Sequence, residues 1–130
     1  MNTTFIEALT LAFTNKKNSD NAIPMGKYMK NHFPFLGIKT TERRAIFQEL
    51  WKKHKDEIRI NYREIAWELY LKNEREFHYC GIEILTKEIK KEYKKEDILL
   101  IEKFIVTHSW WDSVDTIAKF TLGNYLLAFP

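Results

Sequence analysis

The densest chemistry in the chain is Ser109-Trp110-Trp111-Asp112-Ser113-Val114-Asp115, which packs two tryptophans and two carboxylates into one short stretch. Ser109 is a good helix N-cap, Asp112 follows at the position that favours a negative charge, and Val114, Ile117 and Thr121 continue with amphipathic spacing. A helix starting here sets Trp111 and Asp115, four residues apart, side by side on one face, and gathers Trp110, Val114 and Ile117 on the adjacent apolar face. Trp110 is then the core anchor, and Trp111 with Asp115 is the candidate site. A carboxylate and the face of an indole both stabilise a positive charge that develops beside them. The same residues can equally be packing groups and helix-dipole partners, because a capped helix with two tryptophans specifies no reaction by itself.

Other reactive side chains form no constellation along the sequence. His32, His54, His78 and His108 are scattered without metal-ligand spacing, and no glycine-rich phosphate loop is present, so neither a metal nor a cofactor is expected. Cys80, beside Gly81, reads as a small core residue, and on a helix it points to a different side from His78. As the only cysteine it cannot form an intrachain disulfide, which suits a reducing, cytoplasmic compartment. The net charge of +3 is unevenly spread. Residues 1–55 carry ten Lys/Arg against four Asp/Glu, and residues 56–130 carry eleven against fourteen. The basic share includes Lys16, Lys17, Lys27, Lys30, Lys39, Arg43 and Arg44, which suits either a polyanion or a solvated surface.

The elements that must position these residues read as helices. A chain of 130 residues, 45% hydrophobic, can bury a core and is expected to form one all-helical domain over residues 1–130. The apolar stretch from Phe5 to Phe13 is short and carries Glu7, which argues for an amphipathic helix in a soluble protein and against a membrane span. Apolar residues recur at three and four almost throughout, with only four glycines and three prolines. The spacing predicts a first helix from Thr3 to Phe13, a polar break at 18–21 and a second helix from Pro24 to about Asn31. Phe33-Pro34-Phe35-Leu36-Gly37-Ile38 then forms an apolar turn, with Phe33, Phe35, Leu36 and Ile38 in the core. Thr40 is the expected N-cap of a third helix reaching His54. Asn61 with Glu64 and Asn73 with Glu76 look like capping boxes for a fourth helix ending near Leu71 and a fifth ending near Lys90. A sixth helix is expected from Asp97 to Thr107 and a long last one from Trp110 onward. Antiparallel helices of this length suggest a HEAT-like solenoid, with a compact orthogonal bundle as the alternative. The apolar end Tyr125-Leu126-Leu127-Ala128-Phe129-Pro130 is unlike a solenoid terminus, so the chain is expected to be the N-terminal half of a longer solenoid.

Three segments together, residues 25–44, Asn73-Glu74-Arg75-Glu76-Phe77 and Ser109–Asp115, resemble the AlkD-like DNA alkylation repair glycosylases in order and spacing. The resemblance runs from the second helix to the chain's end. It implies a right-handed solenoid of HEAT-like helix pairs that holds double-stranded DNA containing alkylated purines. The implied reaction is hydrolytic excision of cationic N3- and N7-alkylated purines such as 3-methyladenine and 7-methylguanine, without metal or cofactor; the resemblance names no obligate protein partner. By the same resemblance, Asp115 is the catalytic carboxylate and Trp111 the aromatic residue facing the sugar. Tyr28 approaches the lesion from the N-terminal side, and Lys39, Thr40 and Arg44 touch the DNA backbone. Two departures stand out: Thr41 replaces the proline common in relatives, and the C-terminal repeats that supply an arginine and a second tryptophan have no counterpart here. A non-catalytic helical-repeat module that binds DNA or protein is the competing functional class.

Overall fold

The computed structural model describes residues 4–108 and 111–129, with the backbone alone at 111–113 and 120. Regular structure among them is entirely helical: α1 (Thr4–Asn15), α2 (Ser19–Tyr28), α3 (Thr40–Lys53), α4 (Lys55–Tyr70), α5 (Arg75–Ile89) and α6 (Asp97–Val106). The last stretch comprises α7 (Trp111–Thr116), a π-helical segment (Ile117–Leu122) and α8 (Gly123–Ala128). Ser109 and Trp110, expected as cap and core anchor, lie outside the described residues, as does the side chain of Asp112.

The helices pack as antiparallel pairs stacked side by side, the HEAT-like arrangement. Phe5, near the start of α1, meets Phe47 and His54 toward the end of α3 at ring separations of 6.3 and 5.9 Å. Gly81 of α5 comes so close to α4 that a Cβ there would lie 2.7 Å from the Ala66 carbonyl, and the tight approach buries Ile65, Leu69, Ile84 and Leu85. α6 packs on the π segment. Neighbouring pairs are then joined across both layers. In one, Arg63 of α4 makes a bidentate pair with the buried Asp97 of α6, at 2.8 and 2.9 Å. In the other, Arg44 of α3 reaches Glu83 of α5, and α5 touches the π segment.

Several helix ends depart from the local signals. α2 begins at Ser19, because Asn18 caps it by accepting the Asn21 amide at 3.1 Å, and Pro24 lies within the helix instead of opening it. It ends at Tyr28, since Lys30 and Asn31 are both left-handed, with φ of 52° and 58°. Thr40 is the first residue of α3, whose cap position is held by Lys39 without a side-chain bond. Asn61 stands where two helical stretches meet end to end within α4, so its signal marks a junction and not the first turn of the element. Asn61 is itself the non-helical kink, and its amide donates to the Glu57 carbonyl at 3.2 Å.

Glu76 is the most consequential departure. Instead of reaching back to Asn73, its fully buried carboxylate accepts from the backbone amides of Leu36, Gly37 and Ile38 at 2.9, 3.0 and 3.2 Å. The Arg75 amide donates to the Pro34 carbonyl at 2.9 Å, so the apolar turn is pinned to the start of α5. Its other side is held by α2: Asn18 donates to the Leu36 carbonyl at 2.8 Å and the Asn21 side chain to the Gly37 carbonyl at 3.2 Å. Gly37 has φ 96°, and a Cβ there would stand 1.9 Å from the Asn18 carbonyl oxygen, so only glycine fits. Phe33, Leu36 and Ile38 are buried as expected, whereas Phe35 is half-buried and borders two surface grooves.

Charge-assisted hydrogen bonds in a buried site are the kind whose loss is costly. Glu76→Ala should therefore lower unfolding free energy by on the order of 3 kcal/mol, measured by urea denaturation. The amides of Leu36 to Ile38 should lose hydrogen-exchange protection in the same variant; unchanged protection there would show that the turn holds itself.

Candidate functional site

The residues leading into the Ser109–Asp115 segment are held by contacts from three other elements. Tyr70, at the end of α4, donates its hydroxyl to the Thr107 carbonyl at 2.8 Å, and its own backbone is hydrogen-bonded by the His108 ring. His108 adopts φ 52° and stacks on His78 of α5, with centroids 4.2 Å apart and planes at 15°. The Phe33 ring stands nearly perpendicular to both imidazoles, at 5.7 and 5.8 Å. The buried Arg75 guanidinium lies over the Phe33 ring, 4.1 Å from its centre.

Two stacked imidazoles beside a guanidinium must avoid carrying charge. His78 donates from Nε2 to the Lys72 carbonyl and accepts at Nδ1 from Arg75 at 3.3 Å, a pattern that the neutral ring alone can satisfy. Burial is the main force lowering its pKa to about 3, with His108 and Arg75 pushing the same way. Burial lowers the His108 pKa as well, followed by the Arg75 charge.

Beyond this turn, Asp115 is exposed, Val114 is half-buried, and Ile117 and Thr121 are buried, so the amphipathic spacing divides the faces as expected. Trp111 opens α7, but its side chain is outside the description, and the pairing of Trp111 with Asp115 stays a reading of the sequence. The helix loosens into the π segment immediately after Thr116. Tyr93 donates to the Thr121 carbonyl at 3.2 Å and Tyr125 to the Lys95 carbonyl at 2.8 Å, which tie the last helical stretch to the loop before α6.

Of the other sequence-derived candidates, Tyr28 and Thr40 meet in one groove of about 320 Å³, lined also by Pro24, Met25, Met29, Phe35 and Tyr79. The Tyr28 side chain is 73% exposed, an unusual state for an aromatic that has a groove beside it. Lys39 is exposed on the approach to α3. Arg44, about one turn further along, pairs with Glu83 at 3.3 Å, and the same carboxylate oxygen lies 3.4 Å from Lys87. Phe33, two residues before the groove-lining Phe35, carries the same turn against the His108 ring.

Sequence reading missed two groups here. Tyr79 has its ring flanked by Arg43 at 4.8 Å and Arg75 at 5.0 Å. With Glu83 and Lys87 it forms the stripe of α5 that reaches the surface, and the i, i+4 spacing of an aromatic, an acid and a base was a usable signal. The His78–His108 stack had no local signal, since thirty residues separate its members.

A family model described as DNA alkylation repair enzyme matches residues 9–130. The chain belongs to that family. A predicted DNA alkylation repair enzyme from Enterococcus faecalis has a similar solved structure, with a TM-score of 0.72 and 29% sequence identity, over 86% of this chain and 52% of that one. The chain thus spans about half the length of that relative. No curated protein matches the chain significantly. Among the described residues of this DNA alkylation repair family member, no helix is long and apolar enough to cross a membrane.

The neutral histidine pair gives stability a defined pH dependence. Because the folded pKa of His78 lies below its ordinary value of 6.5, the unfolded chain takes up the proton first, and stability is complete above pH 6.5 and lost as pH falls toward 3. Between pH 6.5 and 5 the loss should be on the order of 2 kcal/mol for His78. Urea midpoints across this range should fall for the native chain and fall distinctly less for His78→Gln, which keeps only His108; a level midpoint in the native chain would mean that the ring accepts a proton in place.

Proposed function

We propose that the complete protein is a DNA glycosylase that excises cationic N3- and N7-alkylated purines from duplex DNA. The observation that carries this reading is the exposed carboxylate of Asp115, in a chain of the DNA alkylation repair family, on a helix whose entry is braced by Tyr70, His78 and Phe33. A purine alkylated at N3 or N7 already bears a positive charge, so it departs with the electron pair of the N-glycosidic bond and needs no strong general acid. The task left to the protein is to stabilise the oxocarbenium-like sugar and to position the water whose oxygen bonds to the anomeric carbon. A carboxylate beside the sugar does both electrostatically, as in glycoside hydrolysis. The Trp111 indole adds its quadrupole to the same face, worth about 0.5 to 2 kcal/mol. Tyr28, Lys39, Thr40 and Arg44 serve DNA binding: the ring approaches the lesion and the cations meet backbone phosphates. Neither a metal nor a cofactor enters this scheme.

A non-catalytic helical-repeat module that binds DNA or protein is the second reading, favoured by the ion pair that already engages Arg44 with Glu83. The two separate on one substitution. In the complete protein, Asp115→Asn should slow release of free 7-methylguanine by on the order of 10² or more while leaving duplex affinity nearly intact, followed by chromatography of the released base. Trp111→Ala should cost less. Equal release by Asp115→Asn and the native protein would remove the carboxylate from the mechanism.

A further inference from the structure

The seam between α3 and α5 continues past Glu83. One to two turns further along, Gln48, Trp51 and Lys52 of α3, Lys55 of α4 and Lys87 of α5 surround a depression of about 350 Å³. Its floor is the half-buried Trp51 indole, braced on the Phe47 ring at a centroid separation of 5.2 Å. Lys87 Nζ lies 5.6 Å from the indole centre and 3.4 Å from Glu83. Lys52 and Lys55 are exposed and make no ion pair among the described residues. Three lysines therefore line the depression with no carboxylate among its lining residues, and the Glu83 carboxylate that reaches Lys87 is already shared with Arg44.

Lysines are compact point charges on flexible stems, suited to single phosphate oxygens more than to the planar fork of a carboxylate. An indole floor lowers the local dielectric and offers an apolar seat for a deoxyribose edge. The depression and the groove already described are both bordered by α3, on which Thr40, Arg44, Gln48 and Lys52 recur every four residues along one face, about 18 Å from first to last at about 1.5 Å per residue. A duplex lying along α3 covers that distance in about five base pairs of axial rise.

We infer that the depression formed by Trp51, Lys52, Lys55 and Lys87 is a second phosphate-binding site for the DNA backbone, about 18 Å along α3 from the groove of Tyr28 and Thr40. The inference rests on the DNA-binding part of the reading above, and extends the contact well away from the reacting sugar. Lys52 and Lys55 stand open to the backbone. Lys87 exchanges the Glu83 carboxylate for a phosphate.

Salt titration of duplex binding by the full chain, followed by fluorescence anisotropy with a 16-base-pair duplex, tests it. The variant Lys52→Gln/Lys55→Gln/Lys87→Gln should bind at least tenfold more weakly at about 0.1 M salt, and its slope of log affinity against log salt should be shallower by about two to three units, at about 0.9 per phosphate. The matching triple replacement by arginine should keep the native slope. A glutamine variant indistinguishable from the native chain, in a preparation where Lys39→Gln/Arg44→Gln does flatten the slope, overturns this site while leaving the first reading standing. Absence of duplex binding by the native chain overturns both.

Discussion

Most of the candidate site depends on one buried carboxylate. Glu76 sits at the start of α5 with its charge removed from water, a state tolerable only because three consecutive backbone amides of the Leu36–Ile38 turn point at it. The constraint works in both directions. The amides give the carboxylate its partners, and the carboxylate gives the turn a shape that its own backbone bonds would not impose. Once the turn is fixed, Phe33 must lie against His78 and His108, Phe35 must border the groove beside Tyr28, and the chain must enter α3 at Thr40. Residues distant in sequence become neighbours through a single side chain.

That dependence also explains what could be read from the sequence and what could not. The helices were legible because their apolar residues repeat at three and four, and the break at Pro34 and Gly37 was legible because both residues act on their own backbone. The faces of the last helix, with Asp115 outward and Ile117 inward, followed from the same periodicity. Helix starts were less legible, since a capping signal does not say whether its acid will be used locally. Glu76 occupies the position of a capping-box acid and spends its hydrogen bonds forty residues away in the chain. Asn61 resembles a cap and is a kink, because the helix before it was already under way from Lys55. The stacking of His78 on His108 depends on how α4, α5 and the end of α6 converge, which no local pattern encodes.

Within the site the resemblance and the geometry contribute different things. The resemblance singled out Tyr28, Lys39, Thr40, Arg44, Trp111 and Asp115 one by one. The geometry brings Tyr28 and Thr40 into a common groove, and ties Arg44 to Glu83 so that a cation selected for DNA is already partnered in the free chain. Tyr79, clamped between two guanidinium groups, enters the same groove and was not singled out at all. A stripe of α5 thus runs from an aromatic through an acid to a base while the rest of the helix is given over to packing. The central helix of the chain is both its most buried element and the backing of its basic surface.

The π-helical segment from Ile117 to Leu122 bears on how relatives can differ. A π turn accommodates one more residue than an α turn over nearly the same length. An otherwise similar chain lacking one residue in this stretch could run as an unbroken α-helix and still occupy the same space. Each residue turns a helix by about 100°, so the wider turn sets the angular phase between Asp115 and everything that follows it. In an alignment the difference would register as a single gap near Thr121, easily dismissed as noise, although it decides which side chains downstream look back toward the carboxylate.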